Sequence, residues 1–336
     1  MRRLGLVLCV VGVLAGCEPP PAWFVVFDDG QLDRAVLSIW GTDRTDVYAV
    51  GGPVGNGQPA LALRFHGGHW RELEPGGTGT LWWVAGSGST DVWMVGTQGR
   101  ILHWDGAAFT EHASGTTATL WGVWAAAPDD AWAVGGTPNG GTAAAADNDL
   151  VLHWDGAAWS RVELPRRLGV ALFKVWGTSS ENLYAVGEGG TLWHRTARGW
   201  RLESEPPLAT WPLLTVSGCG PDEVYAVGGR DVLLWDGTRW AREEVSLTGN
   251  VNGVACDGFE ALLVGSGGMK LRKVRGEWKS ESAKVPHADL HAAWADDKGN
   301  FWAVGGDFVS PSVPGRARDG VVAWYGSGTV TDLFGK

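Results

Sequence analysis

Seven acidic or amide side chains recur at one position of a repeated text. Asp46, Asp91, Asp130, Asn182, Glu223, Glu260 and Asn300 each stand five residues before a glycine, namely Gly51, Gly96, Gly135, Gly187, Gly228, Gly265 and Gly305. Carboxylates do general acid–base work where two of them meet in one cleft, but a reaction needs its acid once and a scaffold needs its polar residue in every copy. The register therefore assigns these side chains to structure, as acceptors of backbone N–H bonds that close a turn. His103, His153 and His194 also share one register, which argues for structure over metal ligation. His66 with His69, and His287 with His291, read as isolated loop pairs with no cysteine or carboxylate cluster beside them. Neither a metal nor a cofactor is expected. Of the 4 tyrosines, Tyr48, Tyr184 and Tyr225 lie in the repeat register as packing residues, and Tyr325 reads as a surface turn residue; no catalytic residue is expected.

The elements that hold these residues follow from the repeat itself. The texts DVYAVG, DVWMVG, DAWAVG, NLYAVG, EVYAVG, EALLVG and NFWAVG end on glycines spaced 45, 39, 52, 41, 37 and 40 residues apart, a period suited to four short strands per unit. Each unit reads as an apolar strand a (LFKVWG), a polar turn, strand b (DVYAVG), a strand c such as ILHWDG, and a strand d opening on an aromatic residue. The Asp-Gly of HWDGAAF, HWDGAAW and LWDGTRW is a two-residue hairpin signal that makes c and d antiparallel neighbours. With 22 tryptophans and 52 glycines, helices should be almost absent. Tyr48, Trp93, Trp132, Tyr184, Tyr225 and Trp302 alternate along strand b as wedges between units. Trp40, Trp124, Trp176 and Trp294 share a strand-a register, and Trp70, Trp159, Trp200, Trp240 and Trp278 open strand d. The fold class is all-β: a seven-bladed β-propeller of four-stranded blades, closed into a ring that leaves only short sheet edges. Residues Ala22 and Trp23 align with the start of a strand d, so the N-terminal strand is expected to complete blade 7. A competing closure uses Val321 to Phe334 as strands c and d.

The strand b ending in Val-Gly-Gly with a downstream Trp resembles kelch repeats, and the WDG hairpin is similar to Asp-box, regulator-type and WD40-like propeller repeats. The chain departs from the first in lacking a Gly-Gly pair at Gly96, Gly187 and Gly265, and from the second in lacking its leading serine. Propellers host many activities, so the resemblance implies a fold and no function. A sialidase-like enzyme on this fold implies a tyrosine nucleophile with an arginine cluster, and a kelch-type copper oxidase implies a crosslinked Tyr-Cys pair; neither pattern is present.

Ahead of the repeats, Arg2 and Arg3 precede an apolar run, Leu4 to Leu14, that is too short to span a bilayer and is followed by small residues. Residues 1–16 read as a signal peptide. Leu14-Ala15-Gly16-Cys17 resembles the lipobox of bacterial lipoproteins, which implies lipidation of Cys17 and a mature N-terminus there; ordinary cleavage near Gly16 is the alternative. Residues 17–21 then form a lipidated, Pro-rich tether ahead of a propeller domain over 22–336. Several acyl chains on Cys17 would anchor the protein stably, and Glu18 in place of an inner-membrane retention aspartate favours the outer membrane of a bacterial cell envelope. Cys219 and Cys256 each stand nine residues before a repeat glycine in neighbouring units. A disulfide between them is expected in an oxidising compartment.

The formal charge of −10 leaves no basic stripe for nucleic acid. Departures from the repeat mark where function is grafted. Long b–c insertions at 51–60, 135–149 and 305–320 lie on the face shared by b–c and d–a loops. On that face Arg34, Arg316 and Arg318 form a mixed-charge patch with Asp28, Asp29 and Asp33. Trp211, in a proline-flanked loop outside every register, reads either as a stacking platform or as a plug of the ring's mouth. Asp147 and Asp149 with Asn148 read either as a Ca²⁺ site or as solvated loop. The sequence thus supports a monomeric, membrane-anchored, non-catalytic binding scaffold for protein or polysaccharide. A glycan-active hydrolase or lyase and an envelope-complex assembly factor are the alternatives.

Overall fold

The repeat closes into seven four-stranded antiparallel sheets, six of them simple a-b-c-d meanders. The computed structural model describes residues 20–27, 32–52, 59–138, 147–205, 207–307 and 319–327. Blade 1 consists of Ala35–Asp43, Asp46–Gly52, Leu61–His66 and His69–Glu72. The innermost strands a of the remaining blades are Leu81–Gly88, Leu120–Ala127, Leu172–Ser179, Thr215–Gly220, Val251–Cys256 and Leu290–Ala295. Each strand a contacts its neighbours on both sides, and blade 7 contacts blade 1, so the ring is closed. Among the described residues the helical elements are three-residue 3-10 turns such as Thr97–Gly99.

Closure uses the N-terminal strand. Blade 7 takes Leu290–Ala295, Phe301–Gly306 and Gly320–Gly326 as a, b and c, and Ala22–Phe27 pairs with the outer edge of strand c. Ala22 faces Gly326, Trp23 faces Tyr325 and Phe24 faces Trp324. The alternative closure, with a C-terminal strand d, is excluded because that edge is occupied.

The repeated glycine has a steric cause. A Cβ on Gly51, Gly96, Gly135, Gly187, Gly228, Gly265 or Gly305 would fall 1.9 to 2.4 Å from a carbonyl oxygen in or just before strand a of the same blade. Any side chain would push strands a and b apart. Strand b is buried along its length, and its aromatic side chains reach into the next blade. Trp93 lies 5.3 Å from Trp154 and 5.2 Å from Trp159. Trp132 meets Trp200, Tyr184 meets Trp240, Tyr225 meets Trp278, and Trp302 meets Trp70 at 5.5 to 6.0 Å. Such pairs contribute about 0.5–1.5 kcal/mol each beyond the area they bury. Blade 6 has Leu262 at this register, and Trp23 of the N-terminal strand fills the boundary with blade 7. Its Nε1 donates to Glu281 Oε2 at 2.7 Å, which fastens the closing strand to the neighbouring blade.

Four sequence expectations are corrected here. Most of the seven polar residues ahead of the glycines bond side chains of strand c in place of closing the a–b turn through backbone N–H bonds. His103 Nε2 lies 2.7 Å from Asp91, His153 Nε2 lies 2.9 Å from Asp130, His194 Nε2 lies 2.8 Å from Asn182, and Arg64 Nε donates to Asp46 at 2.8 Å. Arg272 does the same for Glu260. Burial alone would raise the Asp91 carboxyl, but the hydrogen bonds from His103 and Ser87 outweigh it and hold the group low. Next, the c–d hairpin is centred one residue later than Asp-Gly. Asp105 pairs with Ala108, leaving Gly106 (φ 97°) and Ala107 as the loop, and the Asp105 carboxylate accepts the N–H of Ala107 and Ala108. Tyr325 is no surface turn residue: it lies in strand c of blade 7, 6% exposed, opposite Phe301. Finally, His291 belongs to strand a of blade 7, and His66 and His69 end and begin paired strands, so these are not loop residues.

Candidate functional site

Strand a of six blades carries one residue more than its partner strand. The register slips between Val36 and Ser38, Leu81 and Trp83, Leu120 and Gly122, Leu172 and Lys174, Val251 and Gly253, and Leu290 and Ala292. A bulge of this kind leaves its extra residue out of the ladder and re-aims its side chain. The extra residues are Leu37, Trp82, Trp121, Phe173, Asn252 and His291, and Leu214 stands at the matching place in blade 5. They form a collar around the axis, at the end of the ring where b–c and d–a loops emerge. Trp82 and Trp121 approach to 4.6 Å between ring centroids, Trp121 and Phe173 to 6.0 Å, and Trp82 and His291 to 6.3 Å. The collar encloses a cavity of about 200 Å³, lined by Trp82, Trp121, Phe173, Lys174, Leu214, Thr215, Asn252 and His291.

Carbonyls at the bulges need donors from elsewhere, and side chains, mostly from neighbouring blades, supply them. His291 Nδ1–H donates to Leu37 O, Asn252 Nδ2 to Leu290 O at 2.9 Å, and Thr215 Oγ1 to Asn252 O at 2.8 Å. Lys174 Nζ donates to Trp121 O at 2.8 Å and to Phe173 O at 3.1 Å, and sits 4.1 Å above the Trp83 ring. These polar side chains stitch blade to blade. The aromatic rings of Trp82, Trp121 and Phe173 pack on one another but, among the described residues, make no hydrogen bond across a blade boundary.

The electrostatics of the collar are one-sided. Lys174 is 5% exposed, and burial pushes its ammonium down to about 7. Burial first, and the Lys174 charge second, push His291 down to about 3, so its imidazole is neutral near pH 7. Among the described residues no carboxylate lines the cavity. The indole N–H of Trp82 is buried without an acceptor, whereas that of Trp121 donates to Gly136 O at 2.8 Å. The arrangement offers positive charge, N–H donors and flat apolar walls.

The residues singled out from sequence fall elsewhere. Trp211 is 46% exposed and lies against Gly229 at the rim, with its backbone N–H held by Asp231; it does not line the collar cavity and so does not plug it. Arg34 pairs with Asp33 at 2.9 Å and Glu72 at 2.7 Å. Arg316, Arg318, Asp28, Asp29 and Cys17 lie outside the described residues. Asp149 is 2% exposed with φ 54°, and its carboxylate accepts the N–H of Leu168 and Gly169. Asn148 accepts from Thr137 N–H and donates to Gly169 O, and Asp147 lies 3.8 Å from Arg161. This trio fastens the loop between blades 3 and 4, which departs from the solvated-loop reading, and among the described residues no group of three metal-ligating side chains occurs. Cys219 and Cys256 form a disulfide between blades 5 and 6, with Cα atoms 5.0 Å apart. Burial raises all four phenols, Tyr48 to about 12.

No family model and no curated protein matches this chain. Solved structures do. A YCF48 bound to a D1 peptide superposes with a TM-score of 0.65 at 15% identity, over 90% of this chain and 96% of the other. The virginiamycin B lyase from Staphylococcus aureus gives 0.68 at 12% identity, over 90% and 99%. The WD40 propeller of Doa1 gives 0.64 at 9% identity, over 90% and 97%. At such identities these likenesses speak for the fold: a seven-bladed propeller.

Sequence reasoning passed over Trp82, Trp121, Phe173, Lys174 and Asn252, and placed His291 in a loop. A signal was present. The strand-a position before the bulge is Val or Leu in every blade, from Val36 to Leu290, and the position two after it is aliphatic from Ile39 to Ala293. The position between changes chemistry from blade to blade.

Proposed function

We propose that this protein is a non-catalytic binding scaffold that takes a partner protein at the collar, held at the bacterial cell envelope through a lipidated Cys17. The observation that carries the reading is the collar itself, a ring of bulged residues whose aromatic members serve no inter-blade bond. Its cavity of about 200 Å³ is smaller than the roughly 300–1,000 Å³ of small-molecule sites, so it suits one anchoring group of a larger partner. Buried aromatic anchors of this kind dominate protein interfaces. The YCF48 neighbour carries a peptide, and the lyase shows that the fold alone does not decide.

A glycan hydrolase or lyase finds less support. The cavity lining offers no carboxylate pair among the described residues, and buried phenols raised by desolvation are poor nucleophiles. The polarity of the closing strand supports an orientation as well. Ala22 lies beside Gly326, at the end of the ring carrying a–b and c–d turns. A tether arriving there would turn the collar away from the membrane, toward partners.

The test is a pull-down from solubilised bacterial envelopes, with a glycan array beside it, using the wild-type chain and Trp82→Ala/Trp121→Ala. Protein capture that the double variant abolishes agrees with the reading, and a multisubunit complex in that fraction would point to assembly work. Glycan binding or turnover that survives the double variant would overturn it.

A further inference from the structure

Granting the binding-scaffold reading, we infer that the group inserted into the collar is the C-terminal carboxylate of a partner polypeptide together with its apolar last side chain. Lys174 is a buried lysine with no carboxylate paired to it among the described residues: its ammonium form is held by the Trp121 and Phe173 carbonyls and the Trp83 ring. A buried charge without a counter-ion is costly, and an arriving anion relieves that cost. On the lining of the same cavity, the Trp82 indole N–H is buried and lacks an acceptor. Both features call for an acceptor-only, negatively charged group, which is what a carboxylate is. The neutral His291 supplies no competing anion.

The walls set the rest of the chemistry. Trp82, Trp121, Phe173 and Leu214 present apolar surface within the same cavity of about 200 Å³. Among protein groups, only a chain terminus places a carboxylate and an apolar side chain on one carbon atom; internal Asp or Glu brings the charge without the apolar group. A chain end also needs one strand of polypeptide through the mouth, where an inserted loop needs two.

The probes are acetyl-Gly-Gly-Phe as the free acid and as its C-terminal amide, titrated into the full chain by calorimetry and tryptophan fluorescence, with galacturonate as a third probe. Charge-assisted hydrogen bonds support a preference of about tenfold or more for the acid. Lys174→Met should erase that preference, and Trp82→Phe, which keeps the cation, should reduce it by a smaller factor. Circular dichroism of both variants checks that they remain folded, and Trp82→Phe carries the test if Lys174→Met does not fold. Equal affinity for acid and amide would sink the carboxylate assignment while leaving an apolar anchor site, and therefore the scaffold reading, in place. Failure of both peptides to bind, or galacturonate binding in their stead, would overturn the chain-end assignment; the pull-down with the double collar variant then decides the scaffold reading separately.

Discussion

The two mouths of the central channel enclose nearly the same volume, about 190 Å³ at the a–b end and about 200 Å³ at the collar, yet they are built by opposite rules. At the a–b end, Trp40, Trp124, Trp176 and Trp294 repeat one register, and three of them lie over a glycine of the next blade. A Cβ on Gly86, Gly218 or Gly41 would come within 2.5 to 3.0 Å of Trp40, Trp176 or Trp294 respectively. That mouth is packing, and its tryptophans are as repetitive as the ring. At the collar the corresponding residues differ from blade to blade, and their polar members bond backbone across blade boundaries. Volume does not separate the two ends. What separates them is whether the repeat's own geometry accounts for each side chain.

The comparison is broken most strongly by weakening the regular mouth and watching the irregular one. Cys219→Ala/Cys256→Ala removes the clip between blades 5 and 6, which closes a separation of 37 residues, and should cost about 3–4 kcal/mol in a chain-entropy estimate. Urea unfolding under oxidising conditions measures it, and partner capture at the collar should persist. Trp176→Ala should cost roughly 2–3 kcal/mol, less than the 3–5 typical of a fully buried Trp because this ring borders the channel. Trp121→Ala at the other mouth should cost only about 1 kcal/mol and abolish capture. Equal stability losses at both ends would show that the collar aromatics are packing too.

Much of the fold was legible because each blade restates the same instructions. Seven Val-Gly strand endings and the WDG hairpins specify blade number and strand order, and the Ala-Trp of the N-terminal strand points to the closure that pairing with strand c of blade 7 then decides. The role of the polar register was less legible. Asp91 and His103 are twelve residues apart, and Asp130 and His153 twenty-three, so their pairing exists only once strands b and c are in register. Tyr325 lies one residue from the register its sequence suggests because blade 7 lacks the WDG landmark; Trp324 takes the histidine register opposite Trp302, and Tyr325 the next. The collar was hidden for a related reason. A bulge adds a residue without changing residue type, so Trp82 and Trp121 look like ordinary strand aromatics until the ladder shows them left out.

Lys174 separates the mouths by pH. Burial lowers its ammonium to about 7 in the folded chain, against about 10.4 when unfolded. Between those values the unfolded state holds more protons, so stability rises with pH across that window, and the cost of the buried charge is fully present below about 7. One proton sets the upper limit of the slope at about 1.4 kcal/mol per pH unit. Thermal or urea unfolding from pH 6 to 9 should therefore show wild type gaining on Lys174→Met as pH rises. The same series on Trp176→Ala should run parallel to wild type, since no titrating group is lost at that mouth.

Phe259 supplies the smallest effect and the sharpest control. It is 88% exposed in the a–b turn of blade 6, where its backbone N–H is held by Asp257 at 2.7 Å and its ring is left in solvent. Because the turn depends on the backbone bond and not on the ring, Phe259→Ser should change unfolding free energy by no more than about 0.5 kcal/mol. Collar capture should be unchanged, since the turn lies at the opposite end of the ring. Under the proposed anchoring through Cys17, however, a spin label at Phe259→Cys on the vesicle-bound protein should sit nearer the lipid headgroups than one at Trp211→Cys, because Ala22 enters on the face of Phe259. The reverse order of depths would leave the collar intact as a site but turn it toward the membrane, and the difference between the two mouths would then concern lipid access and not partner recognition.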